Sequence, residues 1–369
     1  MRLLVCAGMT GGGVFPALAV LQTVKDKTSD VLWIGSRGGM EAVLLKDQNL
    51  RFETIPAAGV HGVGLLSLPR NLLQLAKGYF EAGRIIRDFK PDVMFFTGGY
   101  LGVPVAYAGK RIPSVVFVPD IEPGLALNEI IRLAEGVAVS VPDSSGFIKH
   151  QNIEVTGYPV RRELTQWTRP VAREHFGIGQ NEKVLLVFGG SKGARSINQA
   201  LAANLESLIA QMHIIHVSGR DNWNETQTLV SRLNDVQRAC YHAYPFLDED
   251  MGAAFAASDL VVCRAGASTL GELPHFGLPA ILVPYPFAWR YQRENADFLR
   301  SNGGAEMVED QDLEFRFASK VFELMNDSEK LGQMSRAMKA MSRPNAAEKI
   351  AEMIARAARS SQPKEAFNG

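Results

Sequence analysis

Residues 183–198 read KVLLVFGGSKGARSIN. Five apolar residues, Val184 to Phe188, run straight into Gly189-Gly190, and a helix-forming segment follows. An uninterrupted apolar strand is one covered on both faces, as in a parallel sheet, and a glycine turn that feeds a helix brings bare amides to an anion. The chain opens the same way, with MRLLVCAGMTGGG over residues 1–13. Outward from these two openings, apolar runs recur at Leu3 to Ala7, Val31 to Ile34, Val93 to Phe96, Val115 to Val118, Ile214 to Val217, Leu260 to Cys263 and Ala280 to Val283, with helical segments between them. The pattern predicts an α/β protein built as an architectural repeat of two Rossmann-like halves.

A length of 369 residues suits two domains, each with its own core. The proline-punctuated stretch Gly157 to Arg162, then Trp167 to Pro170, reads as the connection, so the domains are expected at 1–159 and 160–344. Residues 345–360, including NAAEKIAEMIARAAR, form a strong helix expected to pack back on the first domain, and 361–369 read as a disordered tail. Lys plus Arg and Asp plus Glu both number 39, which removes a global field for nucleic acid. Cys6, Cys240 and Cys263 have neither disulfide nor metal spacing and suit a reducing cytoplasm. The N-terminal apolar run is too short for a signal peptide, and no run reaches the ~18 apolar residues of a membrane span.

Three glycine loops carry the chemistry. In the first, Gly8 to Gly13, the amides can approach an anion or a sugar ahead of a helix expected to begin near Phe15-Pro16. A dinucleotide fingerprint fails there, because Pro16 stands where a small residue belongs and no acid follows at Gly35-Ser36-Arg37; a plain tight turn is the other reading. The second, Gly189 to Arg195, offers the Ser191 hydroxyl, a run of amides and two cations, which suits a diphosphate, and it lacks the Walker spacing. The third, Arg264 to Glu272, places Glu272 early in a helix, either to accept the two hydroxyls of a ribose or simply to favour the helix dipole. Tyr291 and Gln292 offer neutral groups suited to sugar hydroxyls.

Asp248-Glu249-Asp250 has the look of a metal site but precedes a helix, where acids are common, so no metal and no cofactor is expected. His213 and His216 fall in an apolar run and read as buried, hydrogen-bonded side chains. Residues 65–90 mix apolar groups with Arg70, Lys77, Arg84, Arg87 and Lys90; they read as a patch for an anionic membrane surface or as an amphipathic helix packed on the sheet.

Taken in order, TGGGVFPALAV from Thr10, WIGSRGGMEA from Trp33, KPDVMFFTGGYLGVPV from Lys90, TGYPVR from Thr156, GGSKGARSIN from Gly189, VVCRAGASTLGEL from Val261 and GLPAILVPYP from Gly277 resemble the MurG family. The likeness runs from the first strand to about residue 350. It implies two Rossmann-like domains facing each other across a cleft, the GT-B type, and inverting transfer of N-acetylglucosamine from UDP-N-acetylglucosamine to an undecaprenyl-linked muramyl pentapeptide. The place implied is the cytoplasmic face of the bacterial membrane. By the same resemblance, Gly190 and Ser191 hold the UDP phosphates. Glu272 holds the ribose, with Leu247 near uracil and Arg161 approaching from the hinge, and Ala267, Ser268 and Thr269 are further substrate-binding residues. Tyr291 and Gln292 read the sugar. Thr10, Gly11, Gly12 and Gly13 face the transferred sugar or the acceptor diphosphate, and Asn128 matches an asparagine of the first domain.

Two departures fall in the acceptor half. Gly13 stands where the family has histidine, and Val118 to Gly124 replaces its His-Glu-Gln-Asn segment. Asp120 and Glu122, the carboxylates of that segment, are the candidate catalytic bases; turn formation beside Pro119 and Pro123 is their other reading. A UDP-sugar enzyme with a different acceptor, and a silent UDP-sugar binder, remain as alternatives.

Overall fold

The computed structural model describes residues 1–8, 11–37, 41–45, 50–59, 68–190, 192–287 and 291–360. Among the described residues, thirteen strands form two all-parallel sheets. The first contains β1 (Arg2–Cys6), β2 (Asp30–Ser36), β3 (Arg51–Ile55), β4 (Val93–Phe96), β5 (Ser114–Val118), β6 (Gly136–Val139) and β7 (Ile153–Val155). Their order is β3-β2-β1-β4-β5-β6-β7. The second contains β8 (Val184–Phe188), β9 (His213–Val217), β10 (Tyr241–Tyr244), β11 (Leu260–Cys263), β12 (Ala280–Leu282) and β13 (Ala305–Met307), in the order β10-β9-β8-β11-β12-β13. This is the doubly wound arrangement, which reverses direction between β1 and β4 in one sheet and between β8 and β11 in the other. Register places Leu3 between Val31 and Val93, and Leu185 between Ile214 and Leu260.

The chain separates into two compact units: Met1–Val160 joined by the segment from Pro344 onward, and Arg161–Arg343. Each has its own apolar core, one around Leu4, Phe96 and Val116, the other around Leu185, Leu201 and Val262. The Ala346–Ser360 helix buries Ile350, Met353, Ile354 and Ala357 and lies against the Gly11–Val24 helix and strands β4, β5 and β6. Residues 361–369 lie outside the described part of the chain.

One expectation is corrected. The first helix begins at Gly11, not near Phe15-Pro16, and Pro16 lies inside it. Proline in that position forgoes a backbone hydrogen bond, a penalty of about 3 kcal/mol. Burial of Val14, Ala17, Leu18, Val20 and Leu21 on the same helix offsets it, since each large apolar side chain contributes about 1.5–3 kcal/mol. Among the described residues no helix is long and apolar enough to cross a membrane.

Candidate functional site

In a doubly wound sheet the reversal of strand order opens a crevice beyond the carboxyl ends of the strands, where ligands bind. The second unit has a cavity of about 660 Å³ at that place, bounded by Phe188 at the end of β8 and Arg264 just after β11. Gly189, Gly190 and Lys192 to Ser196 form one wall; Gly266, Ser268, Thr269, Tyr285, Phe287 and Gln292 contribute to the other.

The first wall is fixed by backbone packing. Gly190 and Gly193 have φ of +92° and +83°, and a Cβ on Gly193 would lie 2.1 Å from the Ser218 carbonyl oxygen. Only glycine fits such a position. The Arg195–Ile209 helix follows from Ala194, which provides no side-chain cap. First-turn N–H groups have no acceptor within their own helix and sit at the positive end of its dipole, so the loop presents an anion-binding surface to the cavity.

The opposite wall depends on Arg264. Its guanidinium donates to the carbonyls of Val283 (3.2 Å) and Pro284 (3.4 Å), to Ser196 Oγ (2.9 Å) and to Asp310. Ser196 in turn donates to Asp310 (2.7 Å). This network ties the first turn of the Arg195–Ile209 helix to the ends of β11 and β12. Asn295 donates to the Ala265 carbonyl (3.1 Å), and Thr269 Oγ1 to that of Gly266 (2.6 Å), which holds the third glycine loop. Gln292 lines the cavity and accepts the Tyr285 backbone N–H (2.9 Å).

Beside Ser268 lies a second group. Glu272 is largely withdrawn from water, and burial pushes its carboxyl up to about 7, against the opposing pull of a hydrogen bond from Ser268 and the charge of Arg161. Arg161 also donates to Asp248 at 3.0 Å, next to the buried Leu247. Arg161, Leu247, Ser268 and Glu272 are thus drawn together from positions far apart in sequence. Ala267 is buried behind them, and Tyr291 is half-buried at the start of the Tyr291–Ser301 helix. Ser191 and Thr10 lie outside the described residues.

The acid run before the Met251–Ala257 helix is divided between partners: Asp248 pairs with Arg161, and Asp250 faces His175 at 3.5 Å. His216 is buried between Tyr241 (2.7 Å) and Asn198 (3.1 Å), and burial holds its pKa down at about 3. His213 contacts His242 (3.1 Å) and Glu182 (3.2 Å).

In the first unit, Gly11, Gly12 and Gly13 form the first turn of a helix, and Thr97 at the end of β4 donates to the Gly13 carbonyl (2.7 Å). Asp120 and Glu122 are half-buried in the loop beyond the carboxyl end of β5. Asn128 donates to the Pro123 carbonyl (3.2 Å) and so braces that loop. Sequence reasoning missed Glu41, a fully buried acid that accepts from the Ser36 hydroxyl (2.7 Å) beneath Gly8. It also missed Arg264 and Asp310 as a pair. Arg264 announces itself as a cation directly after a buried strand, but nothing near Asp310 links the two.

A nucleotide-sized cavity at the reversal point of a doubly wound sheet, walled by a glycine loop and a helix start, suits a ligand that carries a nucleotide diphosphate. The N-terminal domain of glycosyltransferase family 28 matches residues 3–132, and the C-terminal domain of that family matches residues 184–350. The UDP-N-acetylglucosamine--N-acetylmuramyl-(pentapeptide) pyrophosphoryl-undecaprenol N-acetylglucosamine transferase of Roseiflexus sp. (strain RS-1) is 37% identical, covering 96% of this chain and 94% of its own. Its counterpart from Desulforudis audaxviator is 35% identical, with coverage of 96% and 98%. The crystal structure of Acinetobacter baumannii MurG superposes with a TM-score of 0.76 at 28% identity, over 96% of this chain and 99% of that one. The chain belongs to the MurG family of N-acetylglucosamine transferases.

Proposed function

We propose that this protein transfers N-acetylglucosamine from UDP-N-acetylglucosamine to a lipid-linked N-acetylmuramyl pentapeptide, with inversion at the sugar carbon. The observation that carries this reading is the cavity between the Gly189–Ser196 wall and Gln292. In it the diphosphate rests on the glycine loop and the helix start and Ser191 adds its hydroxyl, while past Ser268 the ribose hydroxyls meet Glu272. Leu247 borders the uracil, Arg161 supports the nucleotide, and Tyr291 with Gln292 reads the sugar.

During transfer an acceptor hydroxyl attacks the anomeric carbon as the bond to UDP breaks, the proton passes to a base, and both bonding electrons leave with the diphosphate. Preorganised amides stabilise the charge that grows on the departing group. The base is assigned to Asp120 or Glu122 in the first unit, where Gly11 to Gly13 and Asn128 serve the acceptor side.

The Leu68–Phe89 helix supports docking on anionic lipid. It buries Ala82, Ile86 and Phe89 in the first core while Leu72, Leu73, Tyr79 and Phe80 stay exposed beside Arg70, Lys77 and Arg84. Apolar groups flanked by cations suit the surface of a charged bilayer, at the cytoplasmic face where the lipid-linked acceptor is met.

The departures at Gly13 and at Val118 to Gly124 favour a second reading, in which the donor is retained and the acceptor differs. One assay separates the readings: radiolabelled UDP-N-acetylglucosamine is incubated with a lipid-linked muramyl-pentapeptide analogue, and the products are resolved. Labelled lipid supports the first reading. Donor consumption without labelled lipid supports the second, and binding without turnover overturns both. Asp120→Asn or Glu122→Gln is expected to lower kcat by about 10²-fold or more while donor affinity holds; full turnover by both variants removes the base from this loop.

A further inference from the structure

The distal end of the cavity carries two exposed aromatic rings. Tyr285 and Phe287 follow β12, are 44% and 82% exposed, and meet edge to face with centroids 5.6 Å apart at 67°. They rest on a fixed base. The Arg264 guanidinium lies 5.2 Å from the Tyr285 ring centroid, and it is held in turn by Ser196, Asp310 and two carbonyls. Gln292 fixes the Tyr285 backbone from the other side. A stacked cation and a part-buried hydrogen-bond network hold Tyr285, and Tyr285 meets Phe287 edge to face.

The geometry points to Phe287 as the apolar platform on which the transferred sugar stacks, and hence as a determinant of sugar specificity. This rests on the donor-site reading above. Nucleotide sugars are linear, so if the diphosphate lies on the glycine loop the two ends of the molecule leave in different directions. The nucleoside end goes past Ser268 to Glu272, Arg161 and Leu247. Tyr285, Phe287 and Gln292 line the same cavity and are not taken up by the nucleoside side. A pyranose presents hydroxyls at its rim and a patch of C–H groups on its face. Gln292 supplies a polar group for the rim, whereas in this part of the cavity the aromatic pair supplies the apolar surface for the face. Covering an exposed ring removes apolar area from water, and the electron-rich ring face attracts the polarised C–H groups. Few polar groups with an apolar wall is the usual make-up of a small-molecule site.

Calorimetry on the full chain with UDP and with UDP-N-acetylglucosamine tests the assignment. Phe287→Ala is expected to weaken UDP-N-acetylglucosamine about fivefold, in keeping with one lost aromatic contact, and to leave UDP within about twofold of wild type. Phe287→Tyr is expected to restore sugar-nucleotide affinity, and unchanged UDP binding shows that each variant is folded. Equal weakening of both ligands, or no change in either, overturns the platform while the donor site stands. A wild-type protein that binds neither ligand overturns the donor-site reading and the platform with it.

Discussion

The two units open with similar strings, an apolar strand and then glycines, yet the glycines do different physical work. In the second unit Gly193 packs backbone against backbone: its φ of +83° and the 2.1 Å approach to the Ser218 carbonyl exclude any side chain. In the first unit a Cβ on Gly13 would meet nothing nearer than 3.6 Å, an ordinary contact, and the residue sits in regular helix. At Gly193 the cradle depends on a missing side chain; at Gly13 there is room for one. On the function proposed above, donor recognition depends on backbone shape, and the acceptor side is where a substitution is tolerated.

The largest expected effect is at the cradle. Gly193→Ala forces a steric overlap at a strained φ, and it is expected to cost about 3 kcal/mol or more of stability and at least about 10²-fold in UDP affinity. Urea unfolding and calorimetry measure these; a variant close to wild type in both would end the claim that the loop needs glycine.

An intermediate effect is expected at Glu272. Its folded pKa, raised to about 7 from an ordinary 4.5, means that the folded chain holds a proton which the unfolded chain has already released between those values. The stabilisation is therefore complete below about pH 4.5 and is lost as pH rises through 7. Glu272→Gln removes this loss, so its melting temperature should exceed that of wild type at pH 8 by the equivalent of no more than about 3 kcal/mol, with the gap closing towards pH 5. Wild-type UDP affinity should rise through pH 7 as the carboxylate forms and accepts ribose hydroxyls. A gap independent of pH would contradict the raised pKa.

The smallest effect is expected at Gly13. Gly13→Ala should change stability by less than about 1 kcal/mol, with a gain the natural direction because alanine favours helix. Loss of stability comparable to that of Gly193→Ala would erase the distinction between the loops.

Strands at the sheet centres were legible in the sequence, β6 excepted, and those at the edges were not. β1, β2, β4 and β5, like β8, β9, β11 and β12, are flanked by neighbours on both sides, and their uninterrupted apolar runs reflect it. The missed strands are β3 and β7 at the edges of the first sheet, β10 and β13 at the edges of the second, and the four-residue β6, which lies between β5 and β7. β3 reads Arg51-Phe52-Glu53-Thr54-Ile55, with exposed Arg51 and Glu53 interrupting the apolar pattern, and β7 and β13 span three residues each. The site divides similarly. Gly190, Ser268, Thr269 and Gln292 lie in compact motifs and line one cavity, whereas the Arg264–Asp310 link and the approach of Arg161 to Glu272 arise from tertiary folding.

The Ala346–Ser360 helix has a consequence for how the protein is made. Because the first unit is completed by a segment that follows the whole of Arg161–Arg343 in sequence, whereas Arg161–Arg343 is continuous, the order of synthesis is not the order of completion. The first unit keeps an uncovered apolar face over β4, β5 and β6 until the Ala346–Ser360 helix has been synthesised, so chaperone demand should centre on that nascent half.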